Sequence, residues 1–247
     1  MRFYYDLHLH SCLSPCGDDD MTPYNLVNMA ALLGLDIIAL TDHNSSLNCP
    51  AALAAADKAG VLLIPGMELC TSEEIHVICL FETPDGAAEF DRYVSSRLPD
   101  IANRPEIFGN QLIMDSGDTV TGRVVPLLIN AADISVMDVT ALTGAYGGIA
   151  FPAHIDRPAY SILSALGDIP PDCGFTAAEI SARPQNKIPA LKKNHPALMD
   201  FLILSNSDAH SLGNMKEKNA WIDLPERSSS AVISAIKKSG NYTGFDG

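Results

Sequence analysis

The residues with chemistry to offer are histidines. The chain has seven of them: His8, His10, His43, His76, His154, His195 and His210. All but His195 fall in or near runs that also carry a carboxylate: DLHLH, TDH, EIH, PAHID and SDAH with Asp208, joined by PGMEL with Glu68. Neutral imidazole suits Zn, Mn or Fe ions, and a carboxylate adds charge and bridges. In a strand, residues i and i+2 face one side, so His8 and His10 present two imidazoles to one cation. One HxH is a weak signal, because solvated strand histidines also fall at that spacing. The whole set at successive strand ends points to a metal centre.

Residues so far apart in sequence need a fold that gathers them. RFYYDLHL reads as a first strand. TPYNLVNMAALLG carries an N-cap at Thr22, Pro23 at the first helical position and Gly34 at its end, the punctuation of a helix. DIIALTD, VLLIPGMEL and EIHVICLF read as strands, with a helix over CPAALAAADKAG. The second half repeats the theme through GIAFPAHID, TAAEISAR and FLILSNSDAH. Apolar strands alternating with helices predict parallel strands covered by helices. A closed α/β barrel brings the carboxyl ends of its strands to one mouth, which is where these ligands fall. Residues 1–82 and 148–240 make up the expected barrel. Residues 83–147 break the rhythm and read as an insertion, a helix and then a β-ribbon around DSGD, bordering the mouth. Residues 241–247 read as a loosely held tail.

Composition narrows the function. The chain has 247 residues, enough for one large α/β domain. The net charge of −14 argues against a basic groove for long duplex nucleic acid. It leaves room for a small phosphorylated substrate where bound cations reverse the local field. There is no aromatic-rich basic platform for long single strands. The six cysteines form no CxxC pair, which predicts free thiols in a reducing cytoplasm. No apolar run nears the roughly 18–20 residues that span a bilayer, and no signal-peptide pattern opens the chain, so no membrane partner is expected. P-loop, GxGxxG and GxSxG patterns are absent.

Taken in order, DLHLHS, LTDHN, PGMEL, IHVICLF, PAHIDRP and SDAH resemble the PHP family, named for polymerase and histidinol phosphatase. The motifs cover residues 6–211. The resemblance implies a distorted (β/α)7 barrel with two or three divalent ions, Zn, Mn or Fe, at its mouth. It implies that His8, His10, Glu68 and Asp208 hold a first ion. Glu68 bridges to a second, completed by His76 and His154, while His43 and His210 hold a third. The family adds a further ligand from the loop after HxH. Here that loop reads SPCGDDD, so the ligand is sought among Cys16, Asp18, Asp19 and Asp20.

Around this set, Asp6 and Asp42 are expected to orient imidazoles through hydrogen bonds. Arg157, and with it Arg183 and Lys187, are candidates for phosphate contact, with salt bridges or solvated loops as the alternative. His195 reads as a surface histidine. The reading that follows is a metal-dependent phosphoesterase, with Glu68, Asp208 and Arg157 as catalytic residues and a metal-activated hydroxide as nucleophile. Its expected substrate is a small phosphorylated metabolite or nucleotide, as a phosphomonoester or as the 5′ end of a nucleotide or short oligonucleotide. The alternatives are an amidohydrolase-type C–N hydrolase and a non-catalytic, polymerase-associated PHP module.

Overall fold

The computed structural model describes residues 1–181, 184–238 and 243–246. In chain order its elements are β1 (Arg2–Leu9), α1 (Pro23–Leu32), β2 (Ile37–Leu40), α2 (Cys49–Ala59), β3 (Leu62–Cys70) and β4 (His76–Phe81). Then follow α3 (Pro84–Ser95), α4 (Pro105–Phe108), β5 (Leu112–Met114), β6 (Val120–Arg123), α5 (Val139–Ala145) and β7 (Gly148–Pro152). The last are α6 (Ile162–Leu166), β8 (Ala177–Ile180), α7 (Pro184–Asn194), β9 (Leu202–Ser205), β10 (Ala220–Asp223), α8 (Ser229–Lys238) and β11 (Thr243–Phe245).

A seven-stranded sheet runs β11-β10-β1-β2-β3-β4-β7, and β8 pairs with β9 separately. Backbone bonds join the two at one end. Ile155 N–H donates to Glu179 O at 2.9 Å, Asp208 N–H to His8 O at 3.0 Å and His10 N–H to Ala209 O at 3.1 Å. The strands thus curl into a distorted α/β barrel. Its strands are not all parallel, as the alternation of strand and helix had suggested. β1–β2, β2–β3 and β8–β9 are parallel, whereas β4 is antiparallel to both β3 and β7. The reason is the short turn between Cys70 and His76, too short for the crossover that a parallel pair needs. Gly66 lets β3 and β4 come close, since a Cβ there would lie 2.6 Å from Cys79 O.

Alternate strand residues fill the barrel, among them Leu7, Ala39, Ile64, Ile78, Phe151 and Leu204. The outer faces pack on helices. Leu26, Val27 and Ala30 of α1 and Ala52 and Ala55 of α2 cover Ile38, Leu40 and Leu63. Phe90 and Val94 of α3 and Val139 of α5 cover Val77, Cys79 and Phe81. α1 begins as its sequence predicts: Thr22 Oγ1 accepts from Asn25 N–H, and Pro23 opens the helix. Among the described residues no helix is long and apolar enough to cross a membrane.

Residues 83–147 hold α3, α4, the β5–β6 ribbon and α5, and the DSGD turn sits where expected. This segment clasps the loops behind the site. Leu112 N–H donates to Cys12 O at 2.8 Å. Asn44 Nδ2 donates to Leu128 O at 2.6 Å, and Met114 N–H to Asn48 Oδ1 at 2.9 Å. Gly109, at φ 95°, packs on Pro15, whose carbonyl oxygen would stand 2.1 Å from any added Cβ. The tail expected over 241–247 contains an edge strand instead: Thr243–Phe245 pairs with Ala220–Ile222.

Candidate metal centre

The barrel mouth collects the candidate ligands from the ends of several strands, with His8 and His10 both at the end of β1. A register shift in β1 between Asp6 and Leu9 re-aims the end of that strand. His43 follows β2 and forms an isolated bridge with Glu68 of β3. His76 is the first residue of β4 rather than the last of a strand, and it reaches the mouth because β4 enters from that side. His154 and Asp208 take left-handed backbone conformations at φ 29° and 53°. Such conformations persist only where the surroundings over-determine them, and they cluster at functional sites.

Glu68, 1% exposed, stands at the centre. Its Oε1 lies 3.2 Å from His8 Nε2, 3.0 Å from His76 Nδ1 and 3.2 Å from His154 Nε2. Its Oε2 lies 3.0 Å from His43 Nδ1 and 3.4 Å from His10 Nε2. Asp208 Oδ1 lies 3.2 Å from His8 Nε2 and 3.1 Å from His10 Nε2. Three overlapping sets have donor atoms within 4.8 Å of one another: His8, His10, Glu68 and Asp208; His43, Glu68 and His76; His10, His43 and His210.

The donor chemistry fits cations. His8 Nδ1 faces both oxygens of Glu179 and keeps a ring proton there, so Nε2 is the nitrogen left to face a cation. Ser14 Oγ donates to Asp42 Oδ1 and therefore accepts from His10 Nδ1, so His10 Nε2 is the nitrogen that gives up its proton to face a cation. These two Nε2 atoms are only 3.0 Å apart, with two carboxylates beside them. Buried and without hydrogen-bond partners are His43 Nδ1, Glu68 Oε2 and Asp208 Oδ1. Their contacts are short in distance but misaligned for hydrogen bonds. Atoms aimed at a shared cation have that arrangement, and buried polar atoms seldom go unsatisfied without such a reason.

The electrostatics agree. Burial alone would lower the histidines, yet Glu179, Asp208 and Glu68 hold His8 well above its ordinary value. His10 rises to about 9 against burial, through Asp208 and Glu68. His43 likewise rises to about 9 against burial, through Glu68. Burial would raise Glu68, but His76, His8 and His43 hold it well below the carboxylate range. Asp208 is lowered in the same way by His8 and His10. Burial wins at His210, which falls to about 3 with help from His10.

The sequence reading missed Glu179. This residue of β8 takes His8 Nδ1, the N–H of His154 at 3.1 Å and Asn206 Nδ2 at 2.7 Å. Its signal was a single carboxylate inside the buried run AAEI. Ser14 was missed as well. Asp42 reaches His10 only through Ser14, while gripping the Ser11 N–H at 2.7 Å. Asp6 touches no imidazole: its carboxylate accepts the N–H groups of His8 and Ser207 and so ties β1 to the segment after β9. Burial pushes Asp6 up to about 6.

Arg157 Nη1 bonds Asp208 Oδ2 and lines a cleft of ≈ 270 Å³ above Glu68, with His76, Tyr160 and His210. Lys187 pairs with Asp156 and does not line that cleft. Arg183 lies outside the described residues. His195 pairs with Asp168 away from the cluster, as expected of a surface histidine. None of Cys16, Asp18, Asp19 and Asp20 joins a donor set. Cys16 is exposed beside His43. Asp18 N–H donates to His210 O at 2.9 Å, and Asp19 binds Asn110 at 2.7 Å. A carboxylate at the start of α1 comes from the ribbon, where Asp118 binds Tyr24 N–H at 3.1 Å and the Thr22 hydroxyl.

A family model described as the PHP domain matches residues 6–236. The chain belongs to the PHP domain family. Over 79 residues it is 38% identical to a 5′-3′ exoribonuclease of Haemophilus influenzae, a match spanning 31% of this chain and 28% of that protein. Its fold resembles the lesion-specific endonuclease PfuEndoQ of Pyrococcus furiosus, with TM-score 0.67 and 20% identity, over 99% of this chain and 58% of that one. It also resembles endonuclease Q solved with a 27-mer duplex substrate, with TM-score 0.64 and 19% identity, over 98% of this chain and 58% of that one.

These findings correct the partner expectation. A small phosphorylated substrate, with long duplex excluded, does not stand when a protein of this fold is solved on a 27-mer duplex and the relatives matched in sequence are exoribonucleases. A net charge of −14 excludes less than it suggested, because bound cations can meet phosphate where no basic groove exists.

Proposed function

We propose that the chain is a metal-dependent phosphoric ester hydrolase acting on nucleic acid, releasing nucleotides from a 5′ end. The observation that carries this reading is the buried, unpartnered pair Glu68 Oε2 and Asp208 Oδ1 among converging imidazoles at the floor of a cleft. Family membership and the exoribonuclease relatives supply the substrate class.

In this reading His8, His10, Glu68 and Asp208 hold one ion. Glu68 with His76 and His154 holds a second, and His43 and His210 favour a third. Bound ions supply Lewis acidity toward phosphoryl oxygens and lower the pKa of water. The side chains do the rest. Glu179 and Ser14 fix the protonated nitrogens of His8 and His10, so both rings keep a lone pair toward the centre. Arg157, whose other guanidinium nitrogens remain for substrate, neutralises the phosphoryl group that enters the cleft. A carbamylated lysine would favour a C–N hydrolase of the amidohydrolase type, and the cleft lining among the described residues offers Glu68 rather than a lysine. The cysteines are free and all but Cys16 buried, which favours a reducing compartment such as the cytoplasm.

A panel of oligonucleotides with 5′-phosphate, 5′-hydroxyl or blocked 3′ ends, each assayed with Zn, Mn and Fe, tests the proposal. Mononucleotide release from the 5′ end is expected with a blocked 3′ end. No turnover with any ion, on protein shown to be metal-loaded, would defeat it.

A further inference from the structure

One aromatic ring on the cleft rim has no part in holding metals. Tyr160 is 52% exposed and lines the cleft next to Arg157. Its ring stacks on the His76 imidazole, with centroids 4.7 Å apart and planes at 23°. His76 Nδ1 in turn lies 3.0 Å from Glu68 Oε1, so an exposed π-face stands one ring away from the cluster.

The ring is held rigidly. Tyr160 sits at φ 54°, a left-handed conformation that bulky residues rarely adopt. Its carbonyl accepts the His76 N–H at 3.0 Å. The segment before it is pinned by Ser161 Oγ donating to Arg157 O at 2.8 Å and Ser164 Oγ to Pro158 O at 2.7 Å. A large side chain left half in solvent by a strained backbone that is bonded at its carbonyl and just before it calls for a ligand. The cleft also needs apolar affinity: among the described residues lining it, Arg157 is the one side chain that is always charged positive.

We infer that Tyr160 is the stacking platform for the base of the nucleotide whose phosphate faces Glu68 and Asp208. The inference rests on the nucleic-acid reading above. Every base offers a π-face, so a stacked Tyr binds a terminal nucleotide with little sequence preference. It also distinguishes a nucleotide end from a phosphorylated compound without a ring.

The test uses the metal-loaded full chain and 5′-phosphorylated oligonucleotides ending in 2-aminopurine or in an abasic residue. Wild type and Tyr160→Phe are expected to quench the 2-aminopurine on binding, and Tyr160→Ala to lose the quenching. The preference for the base-bearing end, read as a ratio of Kd values, is expected to fall about tenfold in Tyr160→Ala and to survive in Tyr160→Phe. Oligonucleotide binding by wild type without quenching overturns the inference. So does a preference ratio unchanged in Tyr160→Ala, including one accompanied by metal loss, which would assign the ring to propping His76. Quenching with no turnover keeps the stacking role and defeats the hydrolase reading instead. Failure of wild type to bind either oligonucleotide overturns both.

Discussion

Glu179 grips His8 Nδ1 with both carboxylate oxygens, at 3.1 and 3.0 Å, across 171 residues of chain. Both side chains are buried. The same carboxylate takes the His154 N–H and Asn206 Nδ2, so one residue of β8 aligns parts of three strand ends. Removing it frees the His8 ring to rotate and to change tautomer. Glu179→Ala should weaken metal binding about ten- to hundredfold. Competition with a chromophoric chelator measures this, and wild-type affinity would refute the orienting role.

Arg157 makes a charge-assisted bond to Asp208 and lines the cleft. Arg157→Ala should cut kcat/KM for an oligonucleotide by about ten- to a hundredfold, the range for losing a hydrogen bond to a charged group. Arg157→Lys should recover little, since an ammonium lacks the planar fork. Full activity in the lysine variant would mean that Arg157 supplies charge alone.

Metal binding should release protons. Without cations the carboxylates keep His10 and His43 protonated up to about pH 9. His210, at about 3, is already neutral near pH 7. Ligands bind as neutral imidazoles, so affinity should rise with pH from 7 toward 9 and level off above it. Calorimetry in buffers of different ionisation enthalpy counts the protons. A binding heat independent of buffer at pH 7 would contradict the raised values.

Asp156 tests stability apart from the centre. Burial opposes its charge, but Lys187 and Ser181 outweigh burial and hold it below its ordinary 3.8. A depressed folded value stabilises fully above 3.8, and the contribution drains away as pH falls through the lowered value. Lys187 is half exposed, so solvent screening keeps the effect small. Asp156→Asn should lower the urea midpoint at pH 7, with the gap to wild type closing in strong acid. A gap that widens in acid would reverse the sign.

Much of the centre is legible in the sequence because its ligands advertise themselves. His8 and His10 share a strand face, His43, His154 and Asp208 end apolar runs beside other polar residues, and Glu68 is a lone carboxylate in an apolar one. Glu179 is harder to see, since AAEI reads as a buried strand and its one charge has no histidine nearby in sequence. The direction of β4 was hidden for another reason. EIHVICLF carries no polarity of its own, and only the shortness of the turn after Cys70 decides it. The expectation of a small substrate with long duplex excluded went too far because net charge describes the whole surface, whereas bound cations can reverse the field at one mouth.

Glu68 touches every part of the account, with its two oxygens shared among five imidazoles. The most direct test is release of nucleotides from a 3′-blocked, 5′-phosphorylated RNA by metal-loaded wild type and by Glu68→Gln, with bound metal measured on the same samples. Wild type should release nucleotides stepwise from the 5′ end, and the variant should lose at least about a thousandfold of that rate, together with metal. Release by Glu68→Gln at the wild-type rate, or none by fully loaded wild type, would contradict it.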